Sequence, residues 1–188
     1  IRRQRQMCIR DRRLTVDVSF YDPAYDLEFI SKVADGVFVM AYDQHYPTSL
    51  PGPVSGREWF EQSVTQALTR VDPERLVVAL GAYCYDWTLG QTLGQKAVPA
   101  ESLSFREAMD RARASNSSVT FERGAENARF AYTDSQQRLH DVWCQDALSA
   151  FNQAATLRDL GSGASLSGGS APRTRRYGSS LARRRPSW

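Results

Sequence analysis

No run of eighteen apolar residues occurs in the sequence, so no segment reads as a membrane-spanning helix. The first residues carry arginines without the apolar stretch of a secretory leader, and any export signal is expected outside these 188 residues. Cysteine is sparse. Cys8, Cys84 and Cys144 show no C-x-x-C spacing, and His45 has no second histidine at ligand spacing, so neither a metal nor a cofactor is expected and the cysteines read as buried thiols. Positive charge is missing from the middle of the chain. Of the 24 basic residues, Arg2, Arg3, Arg5, Arg10, Arg12 and Arg13 precede residue 14, and Arg173, Arg175, Arg176, Arg183, Arg184 and Arg185 follow residue 161. Residues 14–161 keep the other twelve against twenty of the 21 acidic groups, a net of −8. That sign repels a phosphate backbone, which excludes nucleic acid as a partner of this part, and no membrane contact is expected from it either.

What is present between residues 14 and 82 is an alternation of strand and helix signals. Leu14 to Phe20 reads as a strand. Asp22 and Pro23 then offer an N-cap and a first-turn proline to a helix with Leu27, Ile30, Val33 and Ala34 on one side. After a second strand comes a polar loop, Gln44 to Val54. Ser55 and Glu58 have capping-box spacing before a helix with Phe60, Val64, Ala67, Leu68 and Val71, which Asp72-Pro73 is expected to stop. Leu76 to Trp87 reads as a third strand. Such βαβαβ order implies parallel strands with right-handed crossovers. Beyond Tyr83 a long loop leads to a second capping box, Ser104 and Glu107. Its helix carries Phe105, Ala108, Met109 and Ala112, and short strands are expected at 119–121, 129–132 and 139–143. A last helix, 146–160, carries Ala147, Ala150, Phe151, Ala154 and Leu157 and ends at Gly161.

The stretch Val37 to Tyr46 organises the rest. It is an apolar run of strand length that ends in Tyr42, Asp43 and His45, and a period of two puts Met40 and Tyr42 on one face. In parallel α/β folds, chemistry sits at that end of a strand. Met40-Ala41-Tyr42-Asp43 resembles the M-x-Y-D motif on the sixth strand of family-18 glycoside hydrolases, the chitinase-like TIM barrels. Leu14 to Phe20 is similar to their fifth strand. Leu76 to Trp87, with its Tyr-x-Tyr-Asp-Trp end, is similar to their seventh. The resemblance covers residues 14–161 and is nearest in flavour to hydrolase modules of bacterial fusions with polysaccharide deacetylase and glycosyltransferase parts. A complete barrel needs about 250 residues. The fold class expected is therefore α/β, a partial (β/α)8 TIM barrel of strands five to seven. A small α+β insertion at 100–145 is expected before the last helix.

The resemblance implies hydrolysis of β-linked N-acetylglucosamine polysaccharide, of chitin or peptidoglycan type, by a substrate-assisted retaining mechanism. There the substrate's own acetamido oxygen attacks the anomeric carbon while a glutamic acid protonates the leaving oxygen. Tyr42 and Asp43 would be the catalytic pair, Tyr42 donating to the acetamido oxygen and Asp43 binding the acetamide or sugar hydroxyls. Met40, His45, Tyr83, Tyr85, Asp86 and Trp87 would line the substrate site, the aromatic faces stacking on sugar rings and Asp86 taking paired hydroxyls. Trp59 and Trp143 read as packing residues, and Asp17 has no assigned role. The family's D-x-x-D-x-D-x-E signature is absent from the sequence, so the general acid is expected outside it. Two alternatives stand beside this: an inactive chitinase-like carbohydrate-binding module, and the hydrolase-like module of a bifunctional deacetylase/glycosyltransferase. An extracellular or envelope-facing location follows from the substrate. Both ends read as foreign to the domain. Residues 1–13 resemble in part the translation of a transposon end. Residues 162–188 read as a disordered, frameshifted tail, since Ser165 to Ser180 back-translated in another frame resembles the family's eighth strand.

Overall fold

The three apolar runs near the start form strands because each is too short for a stable helix and a helical segment separates it from the next. The computed structural model describes residues 12–19, 24–90, 92–93, 96–160 and 165–169. Strand β1 (Thr15–Ser19), helix α1 (Leu27–Val33), strand β2 (Gly36–Met40), helix α2 (Arg57–Leu68) and strand β3 (Leu76–Gly81) follow in order. Strand β2 pairs in parallel with β1 and β3, with Val18 opposite Val39 and Val39 opposite Val78. Among the described residues the parallel sheet is open rather than a closed barrel.

Alternation along the strands gives each face its own task. Val18, Val37, Val39, Ala41, Leu76, Val78 and Leu80 are buried beneath Phe60, Val64 and Ala67 of α2 and Leu157 further along the chain. Burial of each larger aliphatic contributes about 1.5–3 kcal/mol. Met40 and Tyr42 lie half-buried, out of step with fully buried Val39 and Ala41, as a period of two requires.

Several local expectations are corrected here. Asp22 and Pro23 lie outside the described residues, and the N-cap of α1 is Asp26, whose Oδ1 accepts from the Phe29 N–H at 3.0 Å. No capping box forms at Ser55. The N-cap of α2 is Gly56, because the Ser55 hydroxyl is engaged instead by the Ala41 carbonyl, to which it donates at 2.8 Å. Helix α2 also ends at Leu68, before Asp72-Pro73. The expected third strand splits in two: β3 stops at Gly81, and Cys84–Thr88 is a separate strand, β4, in another sheet.

The second sheet therefore begins at residue 84, ahead of the 100–145 segment expected as an insertion. After a two-stranded hairpin, β5 (Thr92–Leu93) with β6 (Lys96–Ala97), come β7 (Glu101–Leu103), α3 (Phe105–Ala114), β8 (Thr120–Glu122), β9 (Asn127–Thr133) and β10 (Leu139–Cys144). The second sheet is antiparallel in the order β7-β4-β10-β9-β8. Helix α3 has the expected reciprocal box. The Ser104 N–H donates to Glu107 Oε2 at 2.8 Å and the Glu107 N–H donates to Ser104 Oγ at 3.3 Å. Ala108 and Ala112 of that helix close a core with Leu103, Phe130 and Val142. The cysteines are corrected as well: Cys84 and Cys144 are directly opposite across β4 and β10 and form a disulfide. Sixty residues separate them in sequence, a pairing that only the sheet register reveals.

Helix α4 (Ala147–Asp159) is capped by Asp146, whose Oδ1 accepts from the Ser149 N–H at 2.9 Å. Its buried side is Ser149, Gln153 and Leu157, whereas Phe151 is 69% exposed and not a core residue. The tail is not structureless throughout. Strand β11 (Ser165–Gly169) pairs in parallel with β3 and makes the sheet order β1-β2-β3-β11. The free edge of β3 presents a row of peptide groups that any extended segment can satisfy, whatever its side chains. The rest of the expected tail, 162–164 and 170–188, the helix-ending Gly161, and residues 1–11 of the expected leader lie outside the described residues.

Candidate active site

At the end of β2 the chain leaves the ladder. The Ala41 N–H still donates to the Ala79 carbonyl at 3.1 Å, and two residues later Asp43 takes a left-handed backbone with φ 61°. Non-glycine residues rarely adopt that conformation, though aspartate is among the more tolerant, and it turns the Asp43 carboxylate away from the course of the strand. Gln44 then anchors the following loop. Its N–H donates to the Val54 carbonyl at 3.0 Å, and its Oε1 accepts from the Gly56 N–H at 2.7 Å.

The Asp43 carboxylate is met by two phenols. The Tyr85 hydroxyl donates to Asp43 Oδ1 at 2.9 Å, and the Tyr83 hydroxyl donates to the same oxygen. Burial first, and then the hydrogen bond to Asp43, pushes the Tyr83 phenol far above its ordinary range, so it stays a donor across the physiological range. The rings form a run of edge-to-face pairs: Tyr42 to Tyr83 at 6.0 Å between centroids, Tyr83 to Tyr85 at 5.1 Å, Tyr85 to Trp87 at 5.4 Å. Gly81 makes room for this. A Cβ there would lie 3.0 Å from Tyr83 Cε1, 3.2 Å from Tyr42 Cβ and 3.0 Å from Gln145 Oε1.

Of the residues expected to share the site, Tyr42, Asp43, Tyr83 and Tyr85 come together. Trp87 adjoins Tyr85, and Met40 lies on the Tyr42 side of β2. The expected stacking is corrected in one respect: Tyr83, Tyr85 and Trp87 are 4%, 7% and 3% exposed, so their faces are spent on one another. Their polar tips hold the carboxylate instead. His45 does not join the cluster. Its Nδ1 hydrogen-bonds the Leu50 carbonyl at 2.9 Å, and its ring lies so close over Gly52 that a Cβ there would fall 2.5 Å from it, which makes it a loop-ordering residue.

Asp86 departs furthest from expectation. It alternates with Tyr85 and Trp87 along β4 and therefore points to the opposite face of the sheet. There it accepts from the Tyr132 hydroxyl at 2.7 Å and from Arg111, and it bonds His140 Nδ1 at 2.7 Å. Arg111 also reaches Glu101 at 2.7 Å. This is a buried polar knot between the insertion sheet and α3, not a sugar contact.

Sequence reading missed Ser55, Asn127, Gln145 and Gln153, all buried and all behind the site. For Gln153 the signal existed. Ser149, Gln153 and Leu157 recur at four-residue spacing and share a helix face. Gln145, between a strand end and an N-cap, has no such signature.

No protein-family model matches the chain. The cortical fragment-lytic enzyme of Bacillus subtilis is 32% identical over 137 residues, 73% of this chain and 31% of that protein. The crystal structure of the Bacillus cereus spore cortex-lytic enzyme SleL superimposes with a TM-score of 0.76 at 23% identity, over 84% of this chain and 37% of that one. The crystal structure of a chitinase from Chromobacterium violaceum does so with a TM-score of 0.73 at 26% identity, over 86% and 52%. The chain thus spans about a third of the curated relatives it matches.

Proposed function

The chain carries the chitinase-like fold of glycoside hydrolase family 18, and on that premise we propose that it supplies the sixth- and seventh-strand wall of a glycosidase site. In this reading β1, β2 and β3 are barrel strands five, six and seven, and β11 stands where an eighth would. The substrate class is a β-linked N-acetylglucosamine polysaccharide, of peptidoglycan or chitin type. The observation that carries the reading is the convergence of Tyr83 and Tyr85 on Asp43 Oδ1, beside Tyr42, at the C-terminal end of parallel strands. Two donors on one carboxylate oxygen keep Asp43 aimed and leave Oδ2 for a sugar hydroxyl or acetamide N–H. The Tyr42 phenol would donate to the acetamido oxygen as its lone pair closes on the anomeric carbon. The leaving oxygen takes its proton from a glutamic acid that the D-x-x-D-x-D-x-E signature would provide and this sequence does not contain. The Cys84–Cys144 disulfide supports an oxidising, envelope-facing location.

Tyr42→Phe in a complete barrel carrying these residues tests the assignment. A donor that strengthens toward the transition state is worth about 3 kcal/mol, so kcat on a chromogenic N-acetylglucosamine oligomer should fall about a hundredfold while KM changes little. Unchanged kcat with a lowered melting temperature would make Tyr42 a packing residue and remove the site from the end of β2.

A further inference from the structure

Behind the site runs a line of buried polar groups that the proposed chemistry does not use. Ser55, Gln145 and Gln153 are 1%, 1% and 4% exposed. The line begins at the carbonyl that precedes Tyr42: Ser55 Oγ donates to Ala41 O at 2.8 Å. Gln153 Nε2 donates to Ser55 Oγ at 3.0 Å, and Gln145 Nε2 donates to Gln153 Oε1. It ends at the backbone N–H of Gln145, which donates to the Tyr83 carbonyl at 3.0 Å. The line thus ends on Tyr83 at one side and on Ala41, two residues before Asp43, at the other, at a point where the ladder between β2 and β3 has run out.

Satisfying polar groups does not by itself account for this arrangement. Apolar side chains at 145 and 153 together would fill the space without stranding either amide, and the line still leaves Gln145 Oε1 buried without a hydrogen-bond partner among the described residues. That oxygen lies against Gly81, the same point on which Tyr42 and Tyr83 converge. We propose that Gln153 and Gln145 are positioning residues, which with Ser55 form a strut that sets Asp43 and Tyr42 against Tyr83. The proposal rests on the reading of Tyr42 and Asp43 as site groups, but its first test needs no substrate.

That test is the alkaline titration of phenols by absorbance at 295 nm. While Tyr83 donates to Asp43, it should not ionise before the protein unfolds. In Gln153→Met, which keeps the volume and removes both ends of the amide, one additional tyrosine should ionise within the folded range. Ser55→Ala, which cuts the line at its first link, should do the same. In a complete barrel carrying these residues, either variant should lower kcat about tenfold to a hundredfold with KM little changed, as expected for a displaced rather than a missing group. Folded variants with the parent titration curve would overturn the strut, and so would unfolding of both variants, which would make the line purely structural. An altered titration with unaltered kcat would uphold the strut and count instead against the glycosidase assignment of Tyr42 and Asp43.

Discussion

Reduction of the Cys84–Cys144 bond should remove a large share of the insertion's stability. The bond closes a loop with a sequence separation of 60. In the chain-entropy description such a crosslink withholds about 14 cal/mol/K from the unfolded state, or about 4 kcal/mol at 25 °C, and measured values usually fall in the 2–4 kcal/mol range. Both sulfurs are in the core, with Cys84 and Cys144 0% exposed, and a reduced pair would still fit there as small apolar groups, so the native-state term is minor. The assay is urea unfolding followed by far-ultraviolet dichroism on oxidised protein, reduced protein and the Cys84→Ala/Cys144→Ala double variant. With a slope near ~2 kcal/mol per molar urea, the midpoint should drop by roughly 1–2 M on reduction, and the double variant should no longer respond to reductant. Thiol counting supplies an independent check. The three cysteines should show one free thiol, Cys8, in denaturant before reduction and three after it. Three thiols without reductant, or one midpoint for both redox states, would refute the crosslink.

The polar knot around Asp86 makes a different prediction: Asp86→Ala strips a buried carboxylate partner from Arg111, Tyr132 and His140 and should destabilise the insertion by about 3 kcal/mol. That is the low end for a broken buried pair, because the Arg111 side chain is 30% exposed. In a complete barrel the folded variant should keep its kcat and KM at low temperature, and a fall in kcat without a fall in melting temperature would return Asp86 to the cleft. Alkali should act through the same knot. Burial and the hydrogen bond to Asp86 push the Tyr132 phenol up to about 12 from 10.0. Its contribution to stability is therefore complete below pH 10 and lost as pH rises toward 12, which melting curves across that window would show; a flat profile would refute it.

The sheet beneath the candidate site was legible because its signals are local. Val37 to Met40 and Leu76 to Gly81 are apolar runs of strand length, and Ser104 with Glu107 has the spacing of the box it forms. The insertion was harder to delimit, because Cys84 to Trp87 continues the apolar character of β3 with only Gly81 and Ala82 between, so one strand was read where two exist. The side of Asp86 is hidden while residues 76–87 read as one strand, and the period of two sets it opposite Tyr85 and Trp87 once β4 is a strand in its own right. The disulfide and the Gln145–Gln153 contact join elements far apart or unpatterned in sequence, and only the assembled registers bring them together.

The meeting of the insertion's two ends has a consequence for how this protein can be cut and recombined. Cys84 and Cys144 stand 4.0 Å apart between Cα atoms, and just outside them the Gln145 N–H donates to the Tyr83 carbonyl at 3.0 Å. Everything between is a cassette entered and left through one doorway. Its two ends are therefore close enough for a short turn, or the corresponding cassette of a relative, to replace residues 84–144, at the loss of the hydrogen bonds from Ser149 Oγ to the Glu126 carbonyl and from Asn127 to the Ser55 carbonyl. Tyr83 lies on the β3 side of the cut and stays with Asp43, whereas Tyr85 travels with the cassette. A swap of that kind keeps Tyr42, Asp43 and Tyr83 together but replaces Tyr85, one of the two phenols on Asp43 Oδ1.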